Sequence, residues 1–503
     1  MSAFGAQLLP EREIFAILYP VILYRKAAES LPFSGNRKRI LSVLLLLPLL
    51  FGAVAASAAE EPSVSFVSPS DAGSIKKLTD GSVRSFIKAK DGITVTFGDD
   101  ARQLYVSFED RPADLTLTFT DAAGGIVSEE TVASPILNHA YPIPENAVGA
   151  KLSTSDELLT VAELHVYGER LPAGVTSFEP PLTECDLLVV SAHCDDEELY
   201  FGGTIPYYAG EQGLAVQLAY MAHGKRLRQE EAMNGIALCG VTNEPVFVGL
   251  RDKYSESLED ASRAWGYDDT VLALVRLIRR TRPLVIVSHD LEGEYGHGAH
   301  RLTAHALFDA VPYAADASFD AESVASDGVW SVRKLYLHLY PENRITMNWR
   351  KPLDAFGGYT ALDMANEAYL CHESQLDYHT AVHDSGDYSC AEFGLAFTTV
   401  GQDGAKDDFF EHIDEAELSN YVAPTPSPSP EPTVTPAPTP THKATPAPTA
   451  ALSEADALTA EEEAAYWGSV RAGRRSVLFV TAIAFLPFVV LAAVLLNRKS
   501  KKK

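Results

Sequence analysis

Asp186-Leu-Leu-Val-Val-Ser-Ala-His-Cys-Asp-Asp-Glu197 decides how the rest of the chain is read. Residues 187–190 are apolar or β-branched, the pattern of a buried strand. The strand runs directly into His193, Asp195, Asp196 and Glu197, with Gly202 and Gly203 soon after. Burying that much carboxylate at a strand end is costly unless a metal ion or a strong cation neutralises it. An imidazole and a carboxylate are what a catalytic zinc site draws on, with a third protein ligand from elsewhere. A second carboxylate beside the ligand is positioned to handle a proton. Taken alone, the segment also reads as an exposed acidic loop after a core strand.

A second segment shifts that balance. Pro283-Leu-Val-Ile-Val-Ser-His289 is another buried strand, and it leads into Asp290-Leu-Glu-Gly-Glu-Tyr-Gly-His-Gly-Ala-His300. His297 and His300 are spaced i, i+3 at a helix start, so both can face one point. Two strand ends delivering His/Asp/Asp and Tyr/His/His predict one site at the carboxyl edge of an α/β sheet, where such folds bind ligands.

Ala192-His-Cys-Asp-Asp-Glu197 together with Glu294-Tyr-Gly-His-Gly-Ala-His300 resembles the PIG-L/LmbE-like zinc N-acetylglucosamine deacetylases. Their first motif usually reads Ala-His-Pro-Asp-Asp-Glu and their second Gly-His-x-x-His. The resemblance covers roughly residues 185–412, under half of the chain. Cys194 stands where the family usually has proline, which puts a thiol near the expected metal.

The resemblance implies roles residue by residue. His193, Asp196 and His300 would hold zinc, with iron as the other metal to consider, and Asp195 would be the general base. His297 would stabilise the oxyanion or help protonate the departing amine, and Tyr295 would close over the oxyanion. Arg228, in Arg-Gln-Glu-Glu231, and Asp252, after Gly249-Leu-Arg251, fall where family members bind the sugar. Read from the residues alone, Arg228 and Glu231 also make an ordinary i, i+3 helix pair, and Asp252 a turn cap. His223, His289 and His372 read as structural or supporting residues. The Cys194 side chain should alternate away from those of His193 and Asp195.

Around this centre the chain divides. Residues 60–180 alternate in short runs, with half-buried strands expected over 92–97, 103–108, 115–119 and 161–167 and no convincing amphipathic helix. That predicts an antiparallel β-sandwich. Leu78-Thr-Asp-Gly81 and Glu163-Leu-His-Val-Tyr-Gly168 resemble the galactose-binding-like jelly rolls of the discoidin type. That likeness implies sugar-binding loops, against a spacer or docking domain without a ligand.

Within an expected deacetylase domain over 185–415, residues 185 to roughly 380 alternate strand and helix, with strands over 187–190, 215–221, 245–248, 284–288 and 335–339. Helices are expected over 199–212, 228–238, 269–280, 301–311 and 361–375. The prediction is a Rossmann-like, mostly parallel sheet covered on both faces. No Gly-x-Gly-x-x-Gly follows the first strand, so a dinucleotide role lacks its phosphate-cradling turn.

The two ends point to a surface protein. Arg37-Lys-Arg39, an apolar run over 40–51 and small residues to Ala59 read as a signal peptide over 1–58, with an uncleaved anchor as the alternative. Residues 422–450 form a Pro/Thr-rich stalk that cannot bury a core. Residues 477–496 match a ~30 Å hydrocarbon layer, and the basic tail over 497–503 favours a cytoplasmic C-terminus. The 503-residue chain carries a net charge of −27, which argues against nucleic acid as a partner. Five cysteines are too few and odd in number for a disulfide framework.

Together these readings predict a membrane-tethered extracellular zinc hydrolase that deacetylates an N-acetylated amino sugar or glycan of the cell envelope. A family enzyme acting on another amide is the nearest alternative. A carbohydrate-binding or adhesion protein with a vestigial metal site is the alternative from another class.

Overall fold

The computed structural model describes residues 64–67, 75–378 and 381–420. The expected signal peptide, stalk, membrane span and basic tail lie outside the described residues. Among the described residues no helix is long and apolar enough to cross a membrane.

Nine strands build the N-terminal region: β1 (Val64–Val67), β2 (Ile87–Ala89), β3 (Ile93–Phe97), β4 (Gln103–Phe108), β5 (Asp114–Thr120), β6 (Ile126–Ala133), β7 (Asn138–Pro142), β8 (Gly149–Ser153) and β9 (Leu159–Tyr167). They form two antiparallel sheets, β1-β3-β8-β5-β6 and β2-β9-β4-β7. Alternation drives the packing: Leu115, Leu117 and Phe119 of β5 point inward while the threonines between them are half-buried. The sequence reading found four of these strands. It missed β6 because that edge strand, with Glu129 and Glu130, is exposed along nearly its whole length and carries no buried alternation.

The second region has seven strands in the order β12-β11-β10-β13-β14-β16-β15. These are β10 (Leu187–Ser191), β11 (Val216–Tyr220), β12 (Val246–Phe247), β13 (Val285–Ser288), β14 (Lys334–His338), β15 (Arg344–Thr346) and β16 (Glu392–Thr398). β12 to β14 run parallel through β10, and β16 and β15 add an antiparallel edge. Every residue of β10 is buried. Leu188 and Val190 pack with helices α4 (Tyr267–Thr281) and α5 (Gly298–Ala315), and Leu187 and Val189 with the opposite layer. A strand covered on both faces must be apolar throughout, which is why it reads as an unbroken run.

The remaining helices are α1 (Asp196–Leu199), α2 (Arg226–Leu238), α3 (Leu258–Trp265), α6 (Ala321–Asp327) and α7 (Ala361–Tyr369). Two expectations are corrected. The helix expected over 199–212 is broken: α1 stops at Leu199 and a separate wide helical turn spans Pro206–Glu211. Pro206 lacks the N–H an uninterrupted helix needs there, and the Gly203 backbone lies so close to Trp349 that a Cβ would sit 2.2 Å from the indole. The helix expected over 361–375 ends at Tyr369, because the following turn is drawn elsewhere. His372 reaches Glu197 at 3.3 Å, and Glu231 accepts the N–H (2.8 Å) and hydroxyl (2.6 Å) of Ser374.

The sandwich is locked onto the α/β layer. Arg226, buried on α2, donates to Phe108 O (2.8 Å), Ser107 Oγ (3.0 Å) and Asn138 Oδ1 (2.6 Å). In return, Glu244 accepts from Arg111 (2.6 Å) and from the Leu137 N–H (2.8 Å). Buried, charge-assisted hydrogen bonds of this kind are the strong class and fix a seam.

Candidate metal centre

β10 and β13 are neighbours, yet the chain leaves β10 towards β11 on one side and returns to β13 on the other. Such a reversal opens a crevice at the carboxyl ends of the two strands. Both motif loops empty into it.

The first loop is held by its own carboxylates. Asp195 has φ 123, a conformation that L residues rarely adopt. Glu197, fully buried, fixes it by accepting the Asp195 N–H at 2.7 Å and the Tyr220 hydroxyl at 2.8 Å. Asp196 turns inward: its Oδ2 accepts the His193 N–H at 2.9 Å and lies 3.0 Å from His193 Nδ1 and 3.2 Å from His300 Nε2. Burial opposes ionisation of Asp196, but the charge of His300 and the bond from His193 outweigh it and hold the carboxyl well below its usual range.

The second loop delivers α5. Gly298 opens that helix where a Cβ would lie 2.2 Å from the Ser257 carbonyl, so only glycine lets the helix start there. His297 caps it, Nδ1 accepting the Ala299 N–H at 3.2 Å. One turn on, His300 is fully buried, and its Nδ1 donates to Glu294 Oε2 at 2.7 Å.

Two groups of side chains have donor atoms within 4.8 Å of one another: His193, His297 and His300; and Asp196, His289 and His300. Hydrogen bonding separates ligands from supports. Glu294 Oε2 takes the Nδ1–H of both His289 (2.9 Å) and His300 (2.7 Å), which turns Nε2 of each ring toward the centre; against burial, Asp196 and Glu294 raise the His300 pKa to about 10, so a cation at its Nε2 would replace a proton. The His289 lone pair is already used, accepting the Ala192 N–H at 2.9 Å. His300 Nε2 is buried and, although 3.2 Å from Asp196 Oδ2, has no hydrogen-bond partner of good geometry among the described residues. His297 has spent its Nδ1 lone pair on its cap, which leaves Nε2–H as a donor. That leaves His193 from the first group, Asp196 from the second and His300, common to both, as the candidates to hold a cation, and a buried imidazole nitrogen aimed at a carboxylate is what a metal would satisfy.

The other expected residues fall as follows. Tyr295, half-exposed and at φ 47, sits over the pair with ring centroids 5.7 Å from His297 and 5.6 Å from His300. Arg228 does not pair with Glu231. It donates to Asp195 Oδ1 at 2.9 Å and to the Cys194 carbonyl, and lies 4.0 Å from Asp252. Asp252 is exposed beside it. Cys194 is buried and directs its thiol to the His223 carbonyl at 4.0 Å, outside both groups, and burial raises its pKa well above the usual value. His223 stacks edge-on against Phe247. His372 braces Glu197 from the end of α7.

Two supports escaped the sequence reading. Glu294 holds three histidines, the third through His338 Nδ1 at 2.6 Å. His338 ends β14 as His289 follows β13, so a histidine at a strand's carboxyl end was the signal available.

The family model described as PIG-L, GlcNAc-PI de-N-acetylase, matches residues 188–311, which hold both loops. A 1D-myo-inositol 2-acetamido-2-deoxy-alpha-D-glucopyranoside deacetylase from Nocardiopsis dassonvillei is 30% identical over 203 residues, covering 34% of this chain and 69% of that relative. The chain belongs to the PIG-L family. A protein of the same description from Catenulispora acidiphila (deacetylase 1) is 30% identical over 201 residues, 34% of this chain and 61% of that one. The PIG-L region thus spans about three fifths of the length of the first curated relatives it matches. Among solved structures, an N,N'-diacetylchitobiose deacetylase from Pyrococcus horikoshii matches at 17% identity with a TM-score of 0.30, covering 38% of this chain and 70% of that one.

Proposed function

We propose that this PIG-L protein is a zinc-dependent hydrolase that removes acetyl from an N-acetylglucosamine-type sugar, held at the outer face of a cell membrane by its C-terminal apolar segment. The observation that carries the chemistry is the buried His300 Nε2 facing Asp196 and His193. Those three residues would hold the zinc, which when bound supplies a Lewis acid that polarises an acyl oxygen and acidifies water.

The remaining steps belong to the chain. Burial raises the Asp195 pKa to about 7, against the pull of Arg228. A carboxyl near the working pH is what a general base needs, and its Oδ2 carries no hydrogen bond among the described residues while Oδ1 is held by Arg228. Asp195 takes a proton from water and returns it to the departing nitrogen. His297 is unsuited to that second step: burial and the neighbouring His300 and His193 lower its pKa to about 3, so it enters neutral. Its Nε2–H instead donates to the negative charge that develops on the acyl oxygen. Burial keeps the Tyr295 hydroxyl protonated, a second donor at the same mouth. Arg228 and Asp252 meet the sugar at the rim.

Acetate release from N-acetylglucosamine oligosaccharides by the full chain, beside Asp195→Asn, tests this reading. A fall of about 10²–10⁴-fold with metal content unchanged is expected. Undiminished release by Asp195→Asn, or a wild type that binds glycans and releases no acetate, overturns it.

A further inference from the structure

The rim of the site opens into a cleft of about 1610 Å³, walled on one side by the sandwich and on the other by the α/β layer. That exceeds the ~300–1,000 Å³ of a pocket for one small ligand. Arg228, which bonds Asp195 of the catalytic loop, and Asp252 beside it also line the cleft, so cleft and centre meet at Arg228. The seam through Arg226 and Glu244 makes the sandwich a fixed wall.

The charge of this cleft runs against that of the chain. Its lining carries seven arginines and lysines and three carboxylates, Glu109, Asp110 and Asp252. Arg111, Arg226 and Arg228 are paired, to Glu244, Glu230 and Asp195 respectively. Arg84, Lys225, Arg251 and Arg280 are exposed and have no ion pair among the described residues. Set against Glu109, Asp110 and Asp252 in the same lining, these four exposed cations leave one positive charge in excess, in a chain whose net charge is −27. Water satisfies them singly; a polyanion laid along the cleft satisfies them together.

We propose that this cleft is an acceptor subsite for an extended anionic glycan, one bearing carboxylate or phosphate groups along its chain, whose N-acetyl sugar reaches the His193–Asp196–His300 centre. The sandwich would then serve as one wall of the substrate site, by way of Arg84, and not as a remote sugar-binding module. The proposal rests on the deacetylase reading only for what happens at the end of the cleft.

Binding of fluorescent oligosaccharides of equal length to the full chain tests it. The probes are a neutral N-acetylglucosamine oligomer, the same oligomer phosphorylated, and a hyaluronan fragment as the carboxylate form. The wild type should bind at least one anionic probe about tenfold more tightly than the neutral one, and the gap should shrink as salt rises from about 0.05 to 0.5 M. Which anionic probe wins identifies the charged group. Arg84→Glu with Arg280→Glu should lower anionic affinity about tenfold and leave neutral affinity within about twofold. Glu109→Gln, a milder change in the same lining, should raise the anionic preference. Equal affinity for all three probes, or reversals that change nothing, overturns the proposal. Acetate release is read in parallel. Anionic preference without release removes the deacetylase reading and leaves the cleft; release without preference does the reverse.

Discussion

Glu294 is where the centre is most open to perturbation, because one fully buried carboxylate serves three imidazoles. Its Oε2 orients His300 and His289, and its Oε1 meets His338, whose other nitrogen lies 2.9 Å from the Ser389 carbonyl. In Glu294→Gln the amide nitrogen can face only one of those two sides. Facing Oε2's position it would oppose two N–H donors; facing His338 it opposes one, and that ring can switch tautomer and still donate to Ser389. On that side Oε1 also accepts the Asp290 N–H at 3.3 Å, a long bond that the amide nitrogen would oppose, so the glutamine should keep the three imidazole bonds and lose that one together with charge assistance. A charge-assisted bond is worth about 1.5–3 kcal/mol and a neutral one about 0.5–1.5. The His300 bond then weakens by about 1 kcal/mol, and metal affinity falls about tenfold. Glu294→Ala leaves three buried donors unpaired and should cost roughly a hundredfold in affinity, with about 1–3 kcal/mol of stability per orphaned group. Competition with a chromogenic chelator gives the affinities, and denaturant melts of the apo-protein give the stabilities. An alanine variant with wild-type affinity would refute this account of how His300 is held.

Three further outcomes follow from the same geometry. Glu198 is fully buried and neither carboxyl oxygen has a hydrogen-bond partner among the described residues, so Glu198→Met should raise unfolding free energy by about 1–3 kcal/mol; a loss in a denaturant melt would mean the carboxyl has a use. Burial outweighs Arg111 and raises the Glu244 pKa above 4.5. The folded state therefore holds that proton to higher pH than the unfolded chain, and stability from this group falls as pH rises from about 4.5 through the folded value. Melts of wild type and Glu244→Gln across pH 4–8 should show the wild type's relative advantage shrinking with pH; a growing advantage contradicts the sign. Gly298→Ala should push α5 away from Ser257 and lower turnover by at least about tenfold, because a shift of about 1 Å at His297 and His300 is enough.

What was legible in the sequence was what lies close together along it. His193, Asp195 and Asp196 share one loop, and His297 and His300 one helical turn, so each pair of neighbours announced its own chemistry. The run over 187–190 identified a strand covered on both faces because burial on two sides leaves no room for a polar residue. Glu294 was hidden because its partners come from β13, α5 and β14, and nothing local distinguishes it from a surface acid. Arg228 looked like half of a helix pair, yet its partner Asp195 lies 33 positions away. The basic cleft was invisible for the same reason: Arg84 and Arg280 belong to different layers, which the contacts of Arg226 and Glu244 bring together.

The central claim is that His193, Asp196 and His300 form a hydrolytic metal centre, and stepwise metal titration of chelated protein tests it most directly. Acetate release from N-acetylglucosamine oligosaccharides should vanish on chelation and return in full at one equivalent of zinc per chain, with no recovery in His300→Ala. Release that survives chelation, or that His300→Ala recovers at the same single equivalent, would contradict the claim.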